Sequence, residues 1–507
     1  MSKILFISTP YENLGIEYMS AILKSAQHQV ELIIDPCLFL NAYQRHSFLY
    51  KLFDSRARIL QQVKQLKPDL ICFSVMTDTY QWGLDLAVCI KREMNVAIVF
   101  GGIHPTAVPE VVIQEGAIDY VCVGEGEGAI LDLANRCLRP DDCRDIANIW
   151  AKSGAQIIRN GPRAVHPDLE ALPFPDKELY YAQSGIYSKE YFIMTSRGCR
   201  YACAFCCNQI YLKMYGPGFL RRRSVSHVIR ELSESRKKHG YKFVWFMDDN
   251  FAQDIHWLRE FSSEYGRRIG LPFFCYVNPR DMTDEVARLL KAANCHEVAM
   301  GVQTLNDSTC RLVTRDTDRI SVKAGLEVLR ANNIVSATEN ILGFPGENEQ
   351  DIVQLIEFYN NSRPDLVMFS WLKIFPATRI LMLLRERHQI TDQGMEDIVH
   401  GKDRSLALGG NFADERMFRS AACLLVLVPF LPKRLVSFLL KGGVHKGFGF
   451  LNPMFLLRVL RLYKTTRLAM LITGRRTYDA GAKISLRIQK YFILKKIKGF
   501  LKGRHTS

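Results

Sequence analysis

Cys199, Cys203 and Cys206 stand close together in the run Ser196-Arg-Gly-Cys-Arg-Tyr-Ala-Cys-Ala-Phe-Cys-Cys-Asn208. The spacing C-x3-C-x2-C lets three thiolates on one loop hold three irons of a [4Fe–4S] cube, leaving the fourth iron open to a small chelating ligand. A cluster of that kind is built for chemistry as well as for electron storage. A structural zinc site is the plainer alternative. It usually wants a second ligand pair at matching spacing, and none follows here. Cys207 is expected to pack, with its side chain pointing away from that of Cys206.

Such a loop needs a rigid platform. Between residues 191 and 400, strand candidates recur before helical stretches: Tyr191–Thr195, Lys242–Met247, Phe273–Val277, Glu297–Gln303, Val335–Leu342 and Leu366–Leu372. Six strand–helix units suggest an open, partial (β/α)6 barrel whose chemistry sits at the carboxyl ends of the strands. The second strand ends in Asp248-Asp249-Asn250, which can accept hydrogen bonds from an ammonium group or cap a helix. Arg280 and Arg315 lie in later loops, either solvated or facing a carboxylate. Gln303 ends the fourth strand with an amide suited to a diol. Gly343-Phe-Pro-Gly-Glu347 follows the fifth strand as a tight turn. Cys275, Cys295 and Cys310 read as packing thiols.

Residues 1–150 read as a doubly wound parallel sheet, with apolar strands at Lys3–Ser8, Val30–Asp35, Asp69–Ser74, Val96–Phe100 and Tyr120–Val123. Ligands bind such sheets at the carboxyl ends of the strands. The loops there are Val75-Met-Thr77-Asp, Gly101-Gly102-Ile-His104-Pro and Gly124-Glu125-Gly126-Glu127-Gly. Their glycines let backbone approach a large flat ligand closely. The first helix lacks a G-x-G-x-x-G opening, which argues against a dinucleotide. Residues 151–190, with Leu-Pro-Phe-Pro, read as a connector.

The cysteine run, with Phe205 before its third cysteine, resembles the radical S-adenosylmethionine (SAM) superfamily. That resemblance implies a cluster iron chelated by the amino and carboxylate groups of SAM, and reductive cleavage of SAM to methionine and a 5′-deoxyadenosyl radical. It implies SAM contacts from Phe205, from Asp248 or Asp249, from Gln303 on the ribose, and from Gly343 and Pro345 beside adenine, with Arg315 near the SAM carboxylate. Standing directly before this motif, residues 1–150 look like the cobalamin-binding domain of the B12-dependent radical SAM family. The implied cobalamin contacts are Thr77, Gly101, Gly102, His104, Gly124, Glu125, Gly126 and Glu127. The sequence departs from the broader B12 pattern in lacking D-x-H-x-x-G, the usual source of a lower histidine ligand. His104 is the one substitute ligand; a hydrogen-bonded turn residue is the rival reading.

Net charge is +15, yet residues 416–507 hold twenty Lys or Arg against the single acid Asp479. Residues 401–507 therefore read as a basic, mostly helical region. Ala421-Ala-Cys-Leu-Leu-Val-Leu-Val-Pro-Phe-Leu-Pro432 is too short to span a bilayer, which takes about 20 apolar residues. Apolar and basic residues interleave after it, which suits a peripheral contact with an anionic membrane better than nucleic acid; a helical bundle packed on the barrel is the third reading. Scattered cysteines and no signal peptide predict a reducing cytoplasm. The chain is thus expected to use a [4Fe–4S] cluster, SAM and cobalamin, with a flavodoxin or ferredoxin as electron donor. The expected reaction is C-methylation of a lipid-like or other secondary metabolite. The alternatives are oxidative cyclisation or rearrangement with the same cofactors, and a non-catalytic corrinoid- or membrane-binding protein.

Overall fold

Lys3-Ile-Leu-Phe-Ile-Ser8 is almost wholly apolar because the strand it forms is covered on both faces. In the computed structural model this strand, β1 (Lys3–Ser8), sends Ile4 and Phe6 into one apolar cluster and Leu5 and Ile7 into another. Strands β2 (Gln29–Ile34), β3 (Leu70–Ser74), β4 (Ala97–Gly101) and β5 (Tyr120–Cys122) join it, all parallel, in the order β2-β1-β3-β4-β5. This is the doubly wound sheet expected. The structure describes residues 1–464 except 39, 42–43, 46–52, 137–142, 185–186 and 403–414, and beyond them only 487, 490, 491, 493 and 494.

The sheet continues past residue 150, where the sequence suggested a connector. A hairpin of β6 (Ile149–Ser153) and β7 (Gln156–Arg159) adds two antiparallel strands at its edge. Both strands are short and only half buried, so their apolar alternation is faint in the sequence.

The second sheet begins at β8 (Tyr191–Ile193). A small antiparallel ribbon follows, β9 (Ser196–Arg197) with β10 (Arg221–Arg222), and the cysteine loop lies between its strands. Strands β11 (Val244–Phe246), β12 (Phe273–Val277), β13 (Cys295–Gln303), β14 (Val335–Leu342) and β15 (Leu366–Trp371) complete a parallel sheet in chain order. Its edges are β8 and β15, so six parallel strands form an open, partial barrel. Ile4 and Phe6 share a cluster with Tyr191 and Phe246, and the two domains thus have a common core.

The apolar run at 421–428 belongs to that core. Helix Glu415–Leu427 packs on β15 and on helix Glu349–Ser362, and Ala421 through Val426 are buried. Each large aliphatic side chain withdrawn there contributes about 1.5–3 kcal/mol. Helices Lys433–Lys441 and Pro453–Lys464 pack outside it. Among the described residues no helix is long and apolar enough to cross a membrane.

Candidate functional site

The cysteine loop is held by backbone from distant parts of the barrel. Ala204 N–H donates to Val313 O (2.8 Å), Ile380 N–H donates to Ala204 O (3.0 Å), and the Thr314 hydroxyl donates to Ala202 O (2.7 Å). Burial pushes the Cys199 thiol up to about 12 and also raises Cys203, where Arg315 pulls the other way. Arg315 Nη1 lies 3.4 Å from Cys203 Sγ. Cys207 is not independent of Cys206: the two thiols act on each other's ionisation, which raises Cys206 and lowers Cys207. Cys207 caps helix Asn208–Tyr215 with helical φ and ψ, so successive side chains are not opposed as they would be along a strand.

The carboxylates after β11 divide their work. Asp248 is buried and spent on the chain itself, accepting from Thr195 N–H (3.1 Å), Thr195 Oγ1 (2.7 Å) and Ser196 Oγ. It positions the start of the cysteine loop. Asp249 is solvent-accessible but recessed; burial raises its pKa, against a hydrogen bond from Asn208. Asn250 ties Asp281 (2.6 Å) to the end of β12. The helix cap is none of these three but Asp254, which accepts from His256 and Trp257 N–H.

Gln303 ends β13 at a register shift with φ +69°, a left-handed conformation costly for a residue with a Cβ. A Cβ on Gly301 would stand 3.0 Å from Gln303 Nε2 and 3.4 Å from Arg315 Nη2. The bare Gly301 therefore leaves room for Gln303 and Arg315 together, and Arg315 reaches on to Cys203. Arg315 also donates to Gly301 O, while its Nε is buried with no partner among the described residues. Arg280 is turned elsewhere, to Asp316 (3.0 Å) and Asp318 (2.7 Å) at the surface.

Phe205 packs against Phe344 with ring centroids 5.5 Å apart, which brings the Gly343–Glu347 turn to the cysteine loop. Pro345 is buried in that turn. The Gly343 and Phe344 N–H groups both donate to the Glu347 carboxyl. Burial raises that carboxyl to about 8 and the two N–H groups oppose the rise. Since the folded pKa lies above the unfolded one, Glu347 costs stability as pH rises from about 4.5 to about 8. Glu347→Gln keeps an acceptor without the charge. Its melting temperature is expected to gain on that of the wild type across this window; a difference that is flat with pH would show the carboxyl is not raised.

The strand-end loops of the first sheet meet the barrel at one cavity. It has a volume of about 330 Å3, is partly open to solvent, and is lined by Gly101, Gly102 and Gly124–Glu127 from the first sheet and by Arg197, Gly198, Asn208 and Asp249 from the second. Phe6, Leu14, Tyr18, Met19 and Phe73 make its apolar wall. Gly102 has φ +98°, and a Cβ there would lie 2.6 Å from Val75 O; at Gly124 (φ +88°) one would strike the Tyr215 hydroxyl. These two glycines thus admit neighbouring protein, while the surface they leave faces the cavity.

Thr77 and His104 do not line it. His104 is fully buried, with Nδ1 3.2 Å from Thr77 Oγ1 and its ring 4.3 Å from that of Tyr80. Burial lowers its pKa to about 4, with His400 adding to the fall. His104 thus lies buried in the short helix Ile103–Ala107, with its Nε2 unpartnered among the described residues.

Glu125 and Glu127 carry a contact the sequence did not suggest. Arg197 donates to Glu125 (2.9 Å) and to Glu127, and Arg221 donates to Glu125 (2.5 Å) and to His166 O (2.7 Å). All four side chains are largely buried. Burial opposes ionisation of Glu125, but the two guanidiniums outweigh it and hold its pKa below the usual value. The clamp fixes the loop after β5 to the ribbon flanking the cysteines.

The sequence matches the profile of the Radical SAM superfamily over residues 193–359 and that of the B12 binding domain over residues 6–134. The chain is a B12-binding-domain radical SAM protein. It is 25% identical to an uncharacterized methyltransferase of Pyrococcus horikoshii over 75% of this chain and 82% of that one. It is 22% identical to the anaerobic magnesium-protoporphyrin IX monomethyl ester cyclase of Rubrivivax gelatinosus, over 67% of this chain and 62% of the cyclase, less than two thirds of its length. The fold resembles that of the cobalamin-dependent SAM radical enzyme OxsB, solved with aqua-cobalamin and SAM, at a TM-score of 0.65 and 14% identity over 99% of this chain and 80% of that one.

The donor set suits the cofactors of this family. Three thiols share one loop, and among the described residues no three Cys, His, Asp or Glu converge on a single-ion geometry. Thiolates that each take a different iron of a cube need no such convergence. Arg315 sets a cation beside Cys203 and has a spare buried donor for an anionic group.

Proposed function

We propose that this protein is a cobalamin-dependent radical SAM enzyme that methylates an unactivated carbon of an apolar, lipid-like or other secondary-metabolite substrate. The observation that carries the reading is the shared cavity, in which the strand ends of the B12-binding domain and the flanks of the cysteine loop line one space. When bound, the cluster, SAM and cobalamin supply the radical and the methyl group. The chain supplies placement. Cys199, Cys203 and Cys206 would hold the cluster, with Arg315 and Gln303 beside it and the Phe205–Phe344 contact setting the adenine-side turn. Asp249, Asn208 and Arg197 face the cavity from the barrel, and the glycine loops with Glu125 and Glu127 bound it opposite. The apolar wall keeps water from reactive species.

The electron comes from a separate protein, for which we propose a flavodoxin or ferredoxin. Every cysteine among the described residues is a free thiol, as a reducing cytoplasm would keep it. The similarity to the cyclase favours a second reading, oxidative cyclisation with the same cofactors.

One anaerobic experiment separates these. Protein loaded with iron, sulfide and cobalamin is given SAM, a strong reductant and host lipid extract, and 5′-deoxyadenosine and S-adenosylhomocysteine are quantified. Both are expected to rise together, dependent on the extract. Deoxyadenosine alone would select cyclisation. Neither product, under any extract, would leave a non-catalytic corrinoid-binding protein.

A further inference from the structure

Helices Lys433–Lys441 and Pro453–Lys464 and the 3-10 turn Val444–Phe450 wrap helix Glu415–Leu427 and its neighbour Glu349–Ser362. Each turns a few side chains inward, Val436, His445 and Leu457 among them. Their outer sides are unlike the rest of the surface. Phe438, Phe450 and Phe455 are 64%, 80% and 52% exposed, and they are the exposed phenylalanines among the described residues. Leu435, Val444, Leu451 and Val459 are exposed with them.

Along these segments the charge has one sign, and the carboxylate of Glu349, on the helix beneath, is taken up by Lys446 and His445. Residues 416–464 contain nine Lys or Arg and no Asp or Glu. Lys433, Arg434 and Lys441 are exposed at the two ends of the helix that bears Phe438. An occupant must therefore accept isolated large apolar side chains and carry negative charge nearby. A second copy of the chain would bring the same positive face and be repelled. Single-stranded nucleic acid suits stacked aromatics, but the four exposed aliphatic side chains would gain nothing from bases. A bilayer surface with anionic headgroups meets both demands, with the phenylalanines entering the acyl boundary and the cations staying among the headgroups.

We propose that the face formed by residues 433–459 docks this protein on an anionic phospholipid surface, with Phe438, Phe450 and Phe455 as its inserting side chains. The contact is peripheral, since among the described residues no helix can cross a bilayer. It stands apart from the reaction, and a soluble substrate would leave it intact.

The test is flotation of the full, cofactor-loaded chain with phosphatidylcholine vesicles that contain or lack phosphatidylglycerol. Binding is expected to the mixed vesicles, to be weak on pure phosphatidylcholine, and to fall with added salt. The triple variant Phe438→Ser, Phe450→Ser, Phe455→Ser should lose about tenfold or more in affinity. Because those side chains face outward, its melting temperature should hold. The variant Lys433→Glu, Arg434→Glu, Lys441→Glu should lose the preference for phosphatidylglycerol. No binding by the wild type, or equal binding by both variants, overturns the proposal. So does a dimer by light scattering that the triple Phe variant abolishes, or single-stranded RNA bound more tightly than the vesicles.

Discussion

Replacing Cys203 with serine is expected to strip iron and sulfide from the protein and take SAM cleavage to background, while Cys207→Ser leaves both in place. Each thiolate of a three-cysteine set takes a different iron, so no neighbour substitutes for a lost one. The loss should not come from unfolding. The loop keeps its backbone bonds from Ala204 to Val313 and Ile380, and Phe205 keeps its packing on Phe344. Cys199→Ser and Cys206→Ser should behave alike. The control is demanding because Cys207 directly follows Cys206 and the two thiols act on each other's ionisation. Should Cys207→Ser lose iron as fully as Cys206→Ser, the assignment of ligands fails and Cys207 joins the set. Arg315→Met should fall between them. It removes a cation beside Cys203 and not a ligand, so a loss of about 10–100-fold in SAM cleavage is expected, with iron retained. The readouts are iron and sulfide content, visible absorbance and 5′-deoxyadenosine yield.

Both sheets were legible in the sequence because parallel strands covered on two faces must be apolar at nearly every position, as β1 and β3 are. The cysteine loop was legible because its ligands are local. What escaped was chemistry assembled from afar. Glu125 and Glu127 looked like part of a glycine-rich ligand loop, yet their partners Arg197 and Arg221 lie 72 and 96 residues from Glu125. The run Arg221-Arg-Arg223 was a signal for it, since three adjacent arginines with little room for solvent need carboxylates. Asp248 resembled a SAM contact by its place after β11, but its oxygens are taken by Thr195 and Ser196, 53 and 52 residues upstream. His104 stands beside two glycines in the sequence, and only its burial against Tyr80 and Thr77 shows that it is not part of the cavity lining. In the tail, the apolar share of 421–428 was plain, but its destination depended on β15 having an uncovered face.

Lys177→Met is expected to cost about 3–5 kcal/mol of folding stability, the range for breaking a buried ion cluster by removing one sign of charge. Lys177 lies in the connector between the domains and is buried with Glu12 and Glu17 of the first. Its ammonium donates to Glu12 Oε1 (2.6 Å), Glu17 Oε2 (2.7 Å) and Phe192 O on β8 (2.8 Å). One cation thus joins the helix Leu14–Ser25 region to the strand that launches the cysteine loop. Two carboxyls share it, and burial, the largest influence, raises the pKa of both even with the ammonium present. The sign of the pH dependence follows. A carboxyl with a raised folded pKa holds its proton in the native state after the unfolded chain has released it, so stability falls as pH rises above the unfolded value. Without Lys177 the carboxyls rise further, and the slope steepens. The cost of Lys177→Met should therefore be largest at neutral and alkaline pH and shrink in mild acid, where both carboxyls can be neutral. Adding Glu17→Gln to Lys177→Met should recover part of the loss, because it removes one of the stranded charges; adding a distant surface Glu→Gln such as Glu327→Gln should recover nothing. Denaturant midpoints of the single and double variants across pH measure this. A cost under about 1 kcal/mol that does not change with pH would mean the three groups do not act as a buried ionic unit.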